Sequence, residues 1–206
     1  MNNVVITIAR QYGSGGRTIG KMLADQLGIA FYDRNIIRMI SEETGVNEGL
    51  FGRVDEYDSA KAPLFKKNSI YTGRVLPPDD KDFTSDENLF ALQASYIEEL
   101  ARKESFVIIG RCSNFILREH RNTLSVFIHA PFPFRMEKAK EKIGGGDKEI
   151  EKFLLKDDRR KRDFSRRFTG WEWEDATCYD MCLNSGKLGF ENSVDAIRYR
   201  LNLQDK

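Results

Sequence analysis

Apolar residues in this chain fall into five short runs separated by longer stretches with a different rhythm. The runs are "VVITI" from Val4, "IAFYD" from Ile29, "SFVIIGR" from Ser105, "LSVFIHA" from Leu124 and "YDMCLNS" from Tyr179. A run that is apolar at consecutive positions belongs to a strand covered on both faces. Strands are therefore expected near 4–9, 30–32, 106–110, 124–129 and 179–184. Between them the spacing becomes helical. "TIGKMLADQLG" sets Ile19, Leu23 and Leu27 on one stripe and ends at Gly28, a C-cap residue. Asn35 is placed to cap "IIRMISEETG", which stops at Gly45. "ENLFALQASYIEELARK" aligns Leu89, Leu92, Tyr96 and Leu100, read as a core stripe with a dimer surface as the alternative. "FRMEKAKEKIG", a charged helix from Lys148, and "FENSVDAIRYRLNL" complete the series. Strands alternating with helices imply an α/β fold, a parallel sheet with helices on both faces. The chain has 206 residues and neither a repeat nor a Ser/Gly linker, so it reads as one domain. Two insertions interrupt it, at 46–100 and 144–170. The first is least regular over 46–85, which holds Asp55, Asp58, Lys61, Lys66 and Lys67.

Composition narrows the picture mainly by exclusion. No apolar run approaches the roughly 18 residues of a membrane-spanning helix, so no membrane role is expected. "MNNVVITIAR" lacks a basic start and a cleavage site and reads as a first strand rather than a signal peptide, which points to the cytoplasm. A net charge of +1 gives no global attraction to nucleic acid, so any anion site must be local. The three cysteines, Cys112, Cys178 and Cys182, fit a reducing compartment without a disulfide framework. Cys178 and Cys182 have no further cysteine or histidine to complete a zinc set.

The chemistry begins in "ITIARQYGSGGRTIG", an apolar strand running into a glycine cluster and then a helix. Backbone N–H groups converge at such a turn, and the helix dipole adds positive potential, which makes an anion cradle. Gly13, Gly15 and Gly16 are the residues suited to left-handed backbone or close approach to phosphate. The standard loop is G-x-x-x-x-G-K-[S/T], and two registers are open. With Gly16 as the second glycine, Gln11 replaces the first, Arg17 takes the lysine place and Thr18 the magnesium-binding hydroxyl place. Slipped by one, Gly15 is the second glycine, Gly16 takes the lysine place and Arg17 the hydroxyl place. The first keeps a cation and a hydroxyl in order and is preferred. A tight turn without ligand is the plainer alternative.

"KDDRRKRDFSRR", residues 156–167, carries five arginines. Arg159, Arg162 and Arg166 share a helix face at i, i+3 and i+7, with Asp163 one turn from Arg159. Such a row suits a phosphoryl group in transfer. It equally suits a solvated, salt-bridged helix. Gly110-Arg111 ends a buried strand, Asp33 ends another, Arg38 follows in the next helix and Arg135 follows the fourth strand. Ligands of open α/β sheets sit beyond these strand ends. Each residue alone could be an ordinary surface ion-pair partner; together on one edge they indicate a site.

These segments, with "FVIIGRCSNFIL", "VFIHAPFPFR", "DDRRKRDF" and "YDMCLNSGKLG", resemble the cytidylate kinase-like family of P-loop nucleoside monophosphate kinases over nearly the whole chain. The resemblance implies a P-loop three-layer sandwich with a five-stranded parallel sheet, a mobile acceptor-binding segment and an arginine-rich lid. It implies ATP and Mg2+ as cofactors. Gly13, Ser14, Gly15, Gly16, Arg17 and Thr18 would hold the ATP phosphates, with Thr18 on the metal. Arg17, Arg159, Arg162 and Arg166 would serve the migrating phosphoryl group. Asp33, Arg38, Arg111 and Asp163 would contact the substrate. The expected activity is ATP-dependent phosphorylation of a nucleoside monophosphate, CMP or dCMP first. A nucleotide sensor without catalysis, or a kinase of another small molecule, is the alternative. The protein would be a monomer or homodimer whose partners are small nucleotides. Cys112 stands where the bacterial cytidylate kinases have aspartate, and no lysine stands in the loop.

Overall fold

The computed structural model describes residues 3–55 and 70–202; Asp58, Lys61, Lys66 and Lys67 lie outside them. Five strands form one all-parallel sheet: β1 (Val5–Arg10), β2 (Ala30–Tyr32), β3 (Phe106–Ile109), β4 (Thr123–His129) and β5 (Met181–Asn184). Their order is β2-β3-β1-β4-β5, so β1 is central. Val5 sits in register with Phe106 on one side and Thr123 on the other.

Both faces are covered, which is why the strand sequences are apolar at consecutive positions. Ile6, Ile8, Val107, Ile109, Val126 and Ile128 face α1 (Gly16–Leu27) and α9 (Phe190–Asn202), meeting Ile19, Leu23, Val194 and Ile197. Val5, Phe106 and Ile108 face the other way, toward α2 (Asn35–Thr44), α3 (Glu48–Phe51) and α4 (Asp86–Lys103). The expected core stripe of α4 holds: Leu89, Leu92 and Leu100 are buried and Tyr96 packs against the same cluster. Gly28 and Gly45 end α1 and α2 in the left-handed conformation. Asn35 does not cap α2; it lies inside the helix, and its Oδ1 accepts from the Asp33 amide at 2.8 Å.

The chain continues through α5 (Ser113–Ile116), α6 (Phe132–Ile143), α7 (Asp147–Thr169) and α8 (Ser185–Leu188). The arginine-rich stretch is thus one continuous helix of 23 residues. Its C-terminal half is anchored in the main core, where Phe168 stacks on Phe90 with ring centroids 4.5 Å apart. Phe164 joins them. Among the described residues no helix is long and apolar enough to cross a membrane. We predict that Phe90→Ala lowers stability by about 3–5 kcal/mol, measured by urea denaturation, because it empties the space between α4 and α7.

Candidate active site

The glycine cluster forms a tight loop between β1 and α1. Gly13 and Gly15 hold φ of 80° and 76°, and α1 opens at Gly16. The residue before the helix is therefore left-handed, a conformation that calls for glycine. This backbone favours the second register over the preferred one: there Gly15 would be the closing glycine, Gly16 would take the lysine place and Arg17 the hydroxyl place. A side chain on Gly13 would strike the Arg135 carbonyl oxygen, 2.6 Å from its Cβ, and one on Gly15 would strike the Phe190 ring at 2.3 Å.

The loop is tied down from beneath. The Ser14 hydroxyl donates to the Gln11 carbonyl at 2.8 Å and sits 3.1 Å from that of Ile128. The Ser185 hydroxyl reaches the Ser14 carbonyl at 2.5 Å. Ser14 is fully buried, so its side chain frames the loop and does not face the cleft.

A cleft of about 380 Å³ lies over the loop, lined by Gly13, Gly15, Gly16 and Thr18. Among the described residues its walls carry Arg10, Arg17, Lys138, Lys142 and Lys161 against one carboxylate, Glu141. A second cleft of about 670 Å³ adjoins it and is lined by Phe31, Asp33, Arg34, Asn35, Phe153, Asp157 and Arg160. Tyr12, Arg17 and Lys142 border both. At that border Arg17 Nε donates to Asp33 Oδ2 at 2.6 Å. The glycine cradle, the opening helix and the cationic walls fit a polyphosphate. Among the described residues no three His, Cys, Asp or Glu side chains gather to hold a metal. Magnesium commonly arrives on phosphates with few protein ligands. In the second register Thr18, expected on the metal, lies one residue past the standard hydroxyl place, exposed on the first turn of α1 and lining the cleft.

Helix α7 reaches this loop through buried charge. Arg135 of α6 bonds both Asp158 carboxylate oxygens at 2.8 and 2.9 Å and donates from Nε to the Tyr12 carbonyl at 2.7 Å. Burial pushes the Asp158 carboxyl above its ordinary pKa, against the pull of Arg135. Lys161 Nζ bonds Asp157 at 2.6 Å and the Arg10 carbonyl at 3.2 Å. Arg160 pairs with the same Asp157.

The expected arginine face points elsewhere. Arg159 is exposed beside Asp163, 3.7 Å away. Arg162 is bound to Glu174 at 2.6 Å and Arg166 to Glu172 at 2.8 Å. None of Arg159, Arg162, Asp163 and Arg166 lines either cleft. Arg160 and Lys161 do, and the sequence reading missed them as site residues. The signal was the apolar stripe Ile150, Leu154, Phe164 and Phe168, which fixes the inward face and carries Lys161 with it. Arg38 is also outward, paired with Glu42 at 3.3 Å, while Arg34 one turn earlier lines the second cleft. Arg111 lies at the strand edge as expected, but is fully buried and faces Asp55 at 3.3 Å.

A model of the cytidylate kinase-like family matches residues 5–187. No curated protein matches the chain in sequence. Among solved structures it is similar to an uncharacterized protein from Eubacterium ventriosum, at 23% identity and a TM-score of 0.72, covering 97% of this chain and 99% of that one. It is also similar in fold to a shikimate kinase from Bacteroides thetaiotaomicron, at 17% identity and a TM-score of 0.53, with 97% and 98% covered.

Asp158→Ala leaves Arg135 buried without its carboxylate. It is expected to cost about 3–5 kcal/mol in urea denaturation, whereas the apolar pair Arg135→Met with Asp158→Leu costs less than the single change.

Proposed function

This chain belongs to the cytidylate kinase-like family, and from that premise we propose that it transfers the γ-phosphoryl group of ATP to a nucleoside monophosphate, with CMP or dCMP the first acceptors to test. One observation carries the reading: two adjoining clefts share Tyr12, Arg17 and Lys142, one over the glycine cradle and the other at Asp33. A donor phosphate chain in the first and an acceptor in the second would meet where Arg17 sits.

The residues divide the work by position. Amides of the loop and of the first turn of α1 donate to the donor's phosphates. Magnesium–ATP would supply the phosphoryl group, and Thr18, one residue past the standard hydroxyl place, would offer the metal a protein oxygen. Arg34 and Arg160 give the second cleft cations suited to an acceptor phosphate. Asp33 holds Arg17 in place and offers a carboxylate oxygen to an acceptor hydroxyl. Arg17, at the border, neutralises charge on the moving group. Helix α7 forms the roof, with Lys161 over the loop and Arg160 over the acceptor. A phosphate acceptor needs no base, so positioning and charge stabilisation suffice.

A second reading, a small-molecule kinase, has support in Asp33. A carboxylate within the acceptor cleft could take a proton from a hydroxyl acceptor, and a shikimate kinase shares the fold.

Incubation with ATP, Mg2+ and a panel of nucleoside monophosphates is expected to release ADP, fastest with CMP or dCMP. ADP with shikimate or another polyol alone moves the assignment to the second reading. ATP binding without ADP from any acceptor makes the protein a nucleotide sensor. Arg17→Ala is expected to lower kcat about 100-fold or more; unchanged turnover removes Arg17 from the transfer step.

A further inference from the structure

The loop of this chain lacks a lysine, yet a P-loop needs a cation on the outer phosphates of its ligand. The backbone shows where that lysine would have been. Gly15 is the left-handed residue before α1, so Gly16 occupies the lysine place. Counting back through G-x-x-x-x-G, the first glycine falls at Arg10, the last residue of β1. Both places thus carry the opposite of the usual residue: a long cation where glycine is standard, and glycine where the cation is standard.

The two places touch. A Cβ built on Gly16 would lie 2.6 Å from Arg10 Cβ and 3.0 Å from Arg10 Cγ. Contacts that short do not occur between real side chains, so the space admits a stem from residue 10 or from residue 16, not both. Arg10 takes it. Arg10 is buried, at 5% relative exposure for the whole residue, and lines the cleft over the loop beside Gly13, Gly15 and Gly16. The Arg10 backbone is fixed as well, since β1 pairs it with Ile128 and its carbonyl accepts from Lys161 Nζ at 3.2 Å.

We infer that the loop cation has been transposed: Arg10, entering from the strand end, does for the outer phosphates what the lysine at the helix start does in the standard loop. A guanidinium brings a fork of N–H donors that suits phosphate oxygens. Gly16 is glycine because the arginine stem lies against it. The inference rests on the reading that the loop holds a nucleoside triphosphate, and it differs from that reading in naming the cation.

The test is calorimetric titration of the intact protein with the Mg2+ complex of a non-hydrolysable ATP analogue, and separately with inorganic tripolyphosphate. Arg10→Met keeps an apolar stem and removes the charge. It is expected to weaken both ligands by about 10- to 100-fold, with an unchanged thermal midpoint as the check on folding. The exchange Arg10→Gly with Gly16→Lys restores the standard order and is expected to bind at least 10-fold more tightly than Arg10→Gly alone. Wild-type-like affinity in Arg10→Met, or no gain in the exchange variant, overturns the transposition while leaving the triphosphate site standing. No binding of either ligand by the wild-type protein overturns the triphosphate reading, and the transposition with it.

Discussion

The candidate site depends on a buried charge cluster that joins α7 to the glycine loop. Arg135 and Asp158 are each about 95% or more buried, and so are Lys161 and Asp157. Any one of these groups alone in the interior would be expensive, because its water is gone. Paired, the two cations still have donors to spare, and these go to the carbonyls of Tyr12 and Arg10. Those carbonyls stand at the last residue of β1 and in the turn that follows it. The cluster therefore adds little net stability over an apolar replacement, but it sets the register of a long helix against a short loop. A one-residue rotation of α7 would bury Arg159 and Arg162 and expel Lys161. The apolar stripe Ile150, Leu154, Phe164 and Phe168 favours the same rotation.

Rigidity of the loop follows from this anchoring and from what lies beneath it. The loop's underside is closed by Ser14 and Ser185, whose hydroxyls bridge it to the ends of β1 and β4. Its upper side is narrowed by Arg135 and Phe190, which leave room for glycine alone. An anion cradle is useful only if its amides are aimed before the ligand arrives; otherwise each bond pays for its own ordering. Among the described residues five cations around one carboxylate then supply the potential. Net charge over the whole chain is only +1, so this concentration is local and was invisible in composition.

The fold was legible because its signals are one-dimensional. Consecutive apolar positions mean two covered faces, and the five runs became the five strands. Gly28 and Gly45 marked helix ends because left-handed caps demand glycine. The candidate clefts were legible where position along a strand decides what lines them: the loop at the end of β1 and Asp33 after β2. They were misread where helix rotation decides. The row Arg159, Arg162 and Arg166 has helical spacing, but spacing alone does not say which way the row faces. Exposed Glu172 and Glu174, beyond the helix, claim two of the three. Arg38 and Arg34 differ by one turn, and only packing tells that Arg34 lines the cleft. Ser14 lies in the expected loop, where its buried hydroxyl braces the turn from beneath.

Arg111 shows a subtler limit. Gly110, Arg111 and Cys112 all hold left-handed backbone, at φ of 70°, 63° and 52°. For the two non-glycine residues this costs roughly 1–3 kcal/mol each. The turn persists because its carbonyls and amides are committed: the Gly110 amide to the Ile8 carbonyl at 2.9 Å, the Gly110 carbonyl to the Ser113 hydroxyl at 2.7 Å, and the Cys112 carbonyl to the amides of Phe115 and Ile116. The result sinks the Arg111 guanidinium beneath the sheet edge, against Asp55. Arg111 thus couples the edge of β3 to the stretch after α3, and a phosphate there must compete with a carboxylate already in place. A Gly-Arg pair at a strand end reads the same in sequence whether the arginine greets a ligand or a neighbour. The left-handed run is what distinguishes the two, and it is a property of the backbone that the letters do not carry.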